Sequence, residues 1–61
     1  MDIYKITAFS SKGELLLEDS FEAEDDKEAK TLGEKRLEEE GMLNNTHRVV
    51  SPRGKLVVFH T

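Results

Sequence analysis

The sequence predicts an α+β domain of order ββαββ, in which one helix packs on one face of an antiparallel sheet made of two β-hairpins. Two observations lead to this prediction. One long helical pattern occupies residues 25–40, and the same Ser-x-x-Gly turn interrupts the β-rich segment on each side of it. The 61 residues are enough for one small domain, residues 1–61, whose stability margin is expected to be thin.

The two hairpins are predicted over residues 2–23 and 45–61, and their turns are Ser10–Gly13 and Ser51–Gly54. Serine at the first position and glycine at the fourth fit a type I turn followed by a left-handed residue. A duplication would also give this match. We attribute the match to shared turn chemistry, because these residue types recur in turns for local reasons.

The helix is predicted over residues 25–40. Asp25 is a suitable N-cap, Glu28 completes a capping box, and Gly41 favours a Schellman ending. Gly33 costs about 1 kcal/mol relative to alanine inside a helix, so we expect the helix to approach the sheet closely there. The stripe that faces the sheet consists of Ala29, Leu32, Gly33 and Leu37.

The turns set a strand register in which Ser10 lies opposite Glu14 and Ser51 lies opposite Lys55. The face richer in apolar residues is assigned to the helix; it contains Ile3, Phe9, Leu15, Leu17 and Phe21. The other face is expected to stay open, and its interface candidates are Tyr4, Ile6, Leu16, Val57 and Phe59. Such a patch predicts an interface, and a homodimer is the simplest way to cover it. The alternative is that scattered apolar residues on a wet face have no partner.

The formal net charge of −4 is unevenly distributed. Residues 22–40 carry nine acids against four bases, and no Asp or Glu occurs from Gly41 onward. Phosphate contacts dominate the affinity for nucleic acids, so the acidic balance disfavours a nucleic-acid partner. Three cations of the second hairpin, Arg48, Arg53 and Lys55, are the candidates for such contacts.

The two histidines, His47 and His60, are the only imidazoles. In the register above, His47 faces Phe59 and His60 faces Thr46, so the rings are expected on opposite faces, where they cannot share a metal. With no cysteine and no acid nearby, we expect neither a metal site nor a cofactor. No Ser–His–Asp order or glycine-rich phosphate loop is present, so we expect no enzyme activity; His47 is the one catalytic candidate.

The start of the chain lacks a basic segment followed by an apolar one, and no apolar run approaches the length of a membrane span. Cysteine is absent, so no disulfide framework is expected. We therefore expect a cytoplasmic protein.

The whole chain resembles the YhzD-like family of short proteins from Bacillus and related bacteria. The resemblance rests on segments spread over nearly all residues: Tyr4–Phe9, the Gly13 hairpin, Phe21–Ala23, Glu28-Ala29, Gly33–Lys35, Thr46–Arg48, Ser51–Leu56 and Phe59-His60. The Thr-His-Arg and Phe-His segments are its most specific part. This resemblance implies a small bacterial cytosolic domain and implies no activity.

The second half alone also resembles the hairpin of HicA-type RNA-cleaving toxins, through Thr46–Val49, Gly54-Lys55 and His60. That resemblance implies a catalytic role for the first histidine, His47. The chain departs from the toxins in two ways: residues 42–45 are too short for the strand that precedes their histidine, and the N-terminal hairpin is foreign to them.

These observations favour a non-catalytic cytosolic protein-interaction module that homodimerises through the open sheet face and binds a protein partner not identified by the sequence. The alternative is an RNA-binding or RNA-cleaving domain that uses the basic second hairpin.

Overall fold

A computed structural model describes all 61 residues and confirms the α+β fold of order ββαββ. The elements are β1 (Asp2–Phe9), β2 (Leu15–Ala23), α1 (Asp26–Glu39), β3 (Thr46–Val50) and β4 (Leu56–His60). One sheet has the strand order β2-β1-β3-β4, and every neighbouring pair is antiparallel. The hairpins therefore lie side by side, with β1 and β3 in the centre and β2 and β4 at the edges.

The helix begins with the predicted N-cap. The Asp25 carboxylate accepts the backbone N–H of Glu28 at 2.8 Å, which satisfies one of the free donors of the first turn. In return, the Glu28 carboxylate accepts the N–H of Glu24 at 3.0 Å, one residue before the position that a standard capping box uses. Helix α1 has 14 residues and is too short and too polar to cross a membrane.

The helix ends in the predicted Schellman motif. Gly41 adopts a left-handed φ of 70°. The N–H of Met42 donates to the Leu37 carbonyl at 2.7 Å, and the N–H of Gly41 donates to the Glu38 carbonyl at 3.0 Å. Met42 also packs against the core, as expected of the hydrophobic contact that accompanies this ending.

Gly33 brings the helix close to the sheet, as predicted. A Cβ atom at Gly33 would lie 2.8 Å from Cγ2 of Val49 on β3, closer than two carbon atoms can approach. Ala29 and Leu37 are buried on the same stripe, whereas Leu32 is 38% exposed.

The two turns are of the same type, as predicted. The carbonyl of Ser10 accepts the N–H of Gly13 at 2.9 Å, and the carbonyl of Ser51 accepts the N–H of Gly54 at 2.9 Å. Gly13 and Gly54 have φ values of 85° and 82°, which favour glycine.

The first hairpin contains a β-bulge, which the register predicted from the turn lacks. Phe9 pairs with Leu15, as predicted, but Ala8 pairs with Leu17, which leaves Leu16 as the extra residue. Because side chains alternate between faces, one extra residue moves the rest of β2 to the other face relative to β1.

The second hairpin contains an equivalent bulge. Val50 pairs with Leu56, but Val49 pairs with Val58, which leaves Val57 as the extra residue. Val57 and Val58 consequently both pack against the core.

The helix therefore covers the opposite face of β1 from the one predicted. Tyr4 and Ile6 lie beneath the helix with 2% and 0% of their surface exposed, so the prediction that they belong to the open face is wrong. Phe21 packs against the core as predicted, but it does so beside Tyr4, with ring centroids 6.0 Å apart, and not beside Phe9. The buried apolar core consists of Tyr4, Ile6, Ala8, Ala23, Ala29, Leu37 and Val49.

The register gives the sheet an internal pseudo-two-fold symmetry. Adding 41 to a residue number in the first hairpin gives its counterpart in the second, as for Gly13 and Gly54. The same offset relates the bulges, Leu16 and Val57, and the axis passes through the pair Thr7–Arg48 where β1 meets β3. The equivalence of the hairpins thus extends beyond the turns to all four pairs of the shorter hairpin, from Val50–Leu56 to His47–His60.

Candidate functional site

The sheet face that the helix leaves uncovered carries four of the eight exposed large apolar side chains of the molecule. Its exposed members include Phe59 (57%), Ile3 (54%), Leu15 (51%) and Leu56 (48%). With the half-buried Phe9 and Val50, these residues alternate along their strands with the core residues. We call this surface the open face; its apolar residues are Ile3, Phe9, Leu15, Val50, Leu56 and Phe59.

Two apolar pairs occupy opposite corners of the open face. Phe9 lies directly opposite Leu15, and the counterpart pair Val50–Leu56 lies across the pseudo-two-fold axis. Arg48 lies between them, with its guanidinium carbon 5.8 Å from the centroid of the Phe9 ring, within the range of a cation–π contact.

The charges on the open face are balanced. Lys5 Nζ lies 3.5 Å from Glu18 Oε2, and both side chains are more than half exposed. Glu22, opposite Ile3, and Arg48, opposite Phe59, share this face. The acids therefore follow the edge strand β2 and the cations follow the central strands β1 and β3. A shallow groove of about 510 Å³ runs along this face beside the Ser51–Gly54 turn.

The predicted interface residues are divided between four environments. Phe59 lies on the open face, and Leu16 is 48% exposed at the first bulge. Val57 is half-buried against the core, and Tyr4 and Ile6 lie beneath the helix. The open face instead contains four apolar residues that were not among the predicted interface residues: Phe9, Leu15, Val50 and Leu56.

The nucleic-acid candidates do not form one surface. Arg48 is on the open face, whereas Lys55 Nζ forms an ion pair with Asp26 Oδ2 at 3.0 Å near the start of α1. Arg53 lies close enough to Asp26 to lower the pKa of its carboxyl group further.

A mixed-charge cleft of about 610 Å³ separates the start of α1 from the Ser51–Lys55 turn. At its floor the Tyr4 hydroxyl donates to Asp26 Oδ1 at 2.8 Å. This bond, together with burial, raises the pKa of Tyr4 to about 12. The same bond, followed by the contact with Lys55, lowers the pKa of Asp26. The network connects the helix to both hairpins.

His47 is buried, with 4% of its surface exposed. Its Nδ1 lies 2.8 Å from the Asn45 carbonyl, and because a carbonyl can only accept, the ring donates this bond. The prediction that the two histidines lie on opposite faces is wrong. The second bulge places His60 directly opposite His47, and the rings stack with centroids 5.3 Å apart. No group of three or more His, Cys, Asp or Glu side chains is arranged to hold a metal ion.

A sequence signal for the bulges exists at both turns. Three apolar residues in a row, Leu15–Leu17 and Leu56–Val58, follow each turn at the same distance from its glycine. Strict alternation would place polar residues at Leu16 and Val57. The two interruptions therefore mark the extra residues that reassign the faces.

Comparisons with known proteins give one consistent result. The family model described as YhzD-like protein matches residues 1–61. The chain is 44% identical over 57 residues to "Uncharacterized protein YhzD" of Bacillus subtilis (strain 168), and the match covers 93% of each chain. No solved structure matches the chain.

Proposed function

The chain belongs to the YhzD-like family, and we propose that it is a cytoplasmic, non-catalytic protein-interaction module that homodimerises through the open face. The observation that supports this proposal most is the uncovered sheet surface with Phe59 57% and Leu15 51% exposed. Exposed apolar side chains grouped on one face of a small protein are typical of an interface.

A second copy of the chain suits this surface because the acidic side of the face can meet the basic side of an identical face. A two-fold interface brings the same surface of both copies together, so residue i contacts j while j contacts i. The acids Glu18 and Glu22 lie on one side of the open face, and Arg48 lies on the other. Two sheets packed face to face can therefore bring acids of one copy near cations of the other while the apolar corners meet.

Sedimentation of a dilution series tests the proposal. We expect Leu15→Lys to shift the mass distribution toward smaller species, with a dissociation constant raised at least about tenfold, because a charge enters the interface twice. Leu32→Lys is the matched control, since Leu32 is a 38% exposed leucine on the helix and away from the open face. A wild-type chain that remains monomeric at high concentration, or equal effects of both substitutions, would refute the proposal.

No feature of the structure favours the RNA-directed alternative. Its cations are separated, Lys55 is paired with Asp26, and His47 is buried. In the same samples we expect no salt-dependent binding to labelled RNA. Binding that is lost on Arg53→Glu would favour the alternative instead.

A further inference from the structure

The two edge strands have the same bulge and the same register next to their turns, but they differ in length, with nine residues in β2 and five in β4, and in chemistry. By the pseudo-two-fold offset, Glu18 and Asp19 of β2 correspond to Phe59 and His60 of β4. Strand β2 carries a third acid, Glu22, whereas β4 has no Asp, Glu, Lys or Arg at any of its five positions.

Charged residues on an edge strand prevent it from pairing with another sheet, because like charges on two copies would face each other. Strand β2 has this protection and β4 does not. Strand β4 pairs only with β3, so the backbone groups on its other side are free. The bulge at Val57 lies near the turn and leaves Val58, Phe59 and His60 as a regular strand.

We propose that β4 pairs with β4 of a second copy, antiparallel about a two-fold axis at Phe59, to give one continuous eight-stranded sheet. Phe59 then lies opposite Phe59 of the partner subunit on the open face, and Val58 lies opposite His60 of the partner subunit on the helix face. No pair of like charges meets along this edge. The same arrangement at β2 would bring acids together in both copies.

The helices leave room for this pairing. Helix α1 contacts β2, β3 and β4, and at Gly33 it lies over Val49 of β3, one strand inside the edge. The two β3 strands of a joined sheet are three strand spacings apart, about 14 Å. Packed helices need only about 8–10 Å between their axes, so at the level of Gly33 the helix of the second copy does not obstruct the edge.

This edge interface is distinct from the face-to-face interface proposed above. The axis of edge pairing is perpendicular to the sheet, and the axis of a face-to-face dimer lies parallel to it. Where these two perpendicular axes intersect, they generate a closed tetramer with D2 symmetry, a common state of soluble homo-oligomers.

Sedimentation of four chains tests the edge interface separately from the open face. Leu15 is on β2, three strands away from the β4 edge, so Leu15→Lys removes the face-to-face interface alone. We expect wild type to be a tetramer and Leu15→Lys a dimer. In the Leu15→Lys background, we expect Phe59→Glu to give a monomer, with the dissociation constant raised at least about a hundredfold. The uncharged control Phe59→Thr should change the dissociation constant by less than about tenfold.

Each outcome decides between the two interfaces. A wild-type dimer that Leu15→Lys converts to a monomer would refute edge pairing and leave the open-face proposal intact. A wild-type dimer that resists Leu15→Lys, becomes monomeric with Phe59→Glu and protects the β4 amides from exchange would do the reverse. The exchange data are needed because Phe59 also belongs to the open face. A monomeric wild type would refute both. Far-UV circular dichroism checks that each variant is folded, and hydrogen exchange should show amides of β4 protected in the oligomer and exchanging in the Glu variant.

Discussion

The two hairpins share one geometry but connect to the helix differently. Both have the same turn and the same bulge. The first hairpin is connected to α1 by Asp19 and Arg36, with Nη1 and Oδ2 3.0 Å apart. The second has the ion pair of Lys55 with the first turn of α1 and the close approach of Val49 to the helix backbone. The comparison shows that two hairpins can keep the same turn and bulge while the side chains on them diverge.

The central strands show the same divergence inside the core. Ile6 on β1 corresponds to His47 on β3, and both are buried, at 0% and 4% exposure. Ile6 contributes only apolar packing, whereas His47 also needs the hydrogen bond to the Asn45 carbonyl.

Truncation at these two positions should produce the largest contrast between the hairpins. We expect Ile6→Ala to lower the free energy of unfolding by about 2–5 kcal/mol, since it leaves a cavity in a small core. His47→Ala should cost roughly 1–2 kcal/mol. Urea denaturation followed by circular dichroism measures both values. If Ile6→Ala does not fold, Ile6→Val replaces it, with an expected loss of unfolding free energy of about 0.5–1.5 kcal/mol. Equal losses at the two positions would contradict the comparison.

Gly33→Ala should disturb the contact between the helix and the second hairpin. Alanine gains about 1 kcal/mol of helix propensity. The new Cβ would lie 2.8 Å from Val49 Cγ2, and overpacking of this kind costs about 1–3 kcal/mol. We expect a net destabilisation that Val49→Ala in the same chain partly relieves, measured by thermal unfolding of the two single variants and the double variant. Additive losses in the double variant would mean that the contact is not the cause.

The ion pairs Arg36–Asp19 and Lys55–Asp26, which connect the helix to the hairpins, should have the smallest effects on stability. They can be distinguished by how stability depends on pH. The pKa of Asp19 is lowered by the Ser20 N–H and then by Arg36, and that of Asp26 is lowered by Tyr4 and then by Lys55. A lowered pKa in the folded state stabilises the fold above about pH 4, the ordinary aspartate range, and this stabilisation is lost as pH falls through the lowered value. Asp26→Asn and Asp19→Asn should each reduce stability at pH 7 and flatten its decline below about pH 4.

Tyr4→Phe should affect the pKa of only one of the two carboxylates, that of Asp26. It removes the bond to Asp26 and should raise the pKa of Asp26 toward the ordinary range, while the pKa of Asp19 stays unchanged. Carboxyl chemical shifts followed through an NMR titration measure both values. A parallel shift of Asp19 would mean that the substitution disturbs the whole fold.

Much of the fold could be predicted because its signals are local. Asp25 and Gly41 mark the ends of the helix, Gly13 and Gly54 mark the turns, and the small Gly33 predicts close packing. The candidate site was predicted less well. Of its five proposed members, Phe59 alone is on the open face, and Leu16 is exposed at a bulge.

The sequence by itself determined the order of the elements, the caps and both turns, because each depends on residues within a few positions of one another. The tertiary structure decided which face of the sheet the helix covers. One extra residue after each turn, Leu16 and Val57, reverses the alternation of side chains, and both faces carry enough apolar residues to be a core. Only the packing of Ala29, Gly33 and Leu37 against the sheet selects between them. The same packing buries Tyr4 and leaves Phe9 and Phe59 on the open face.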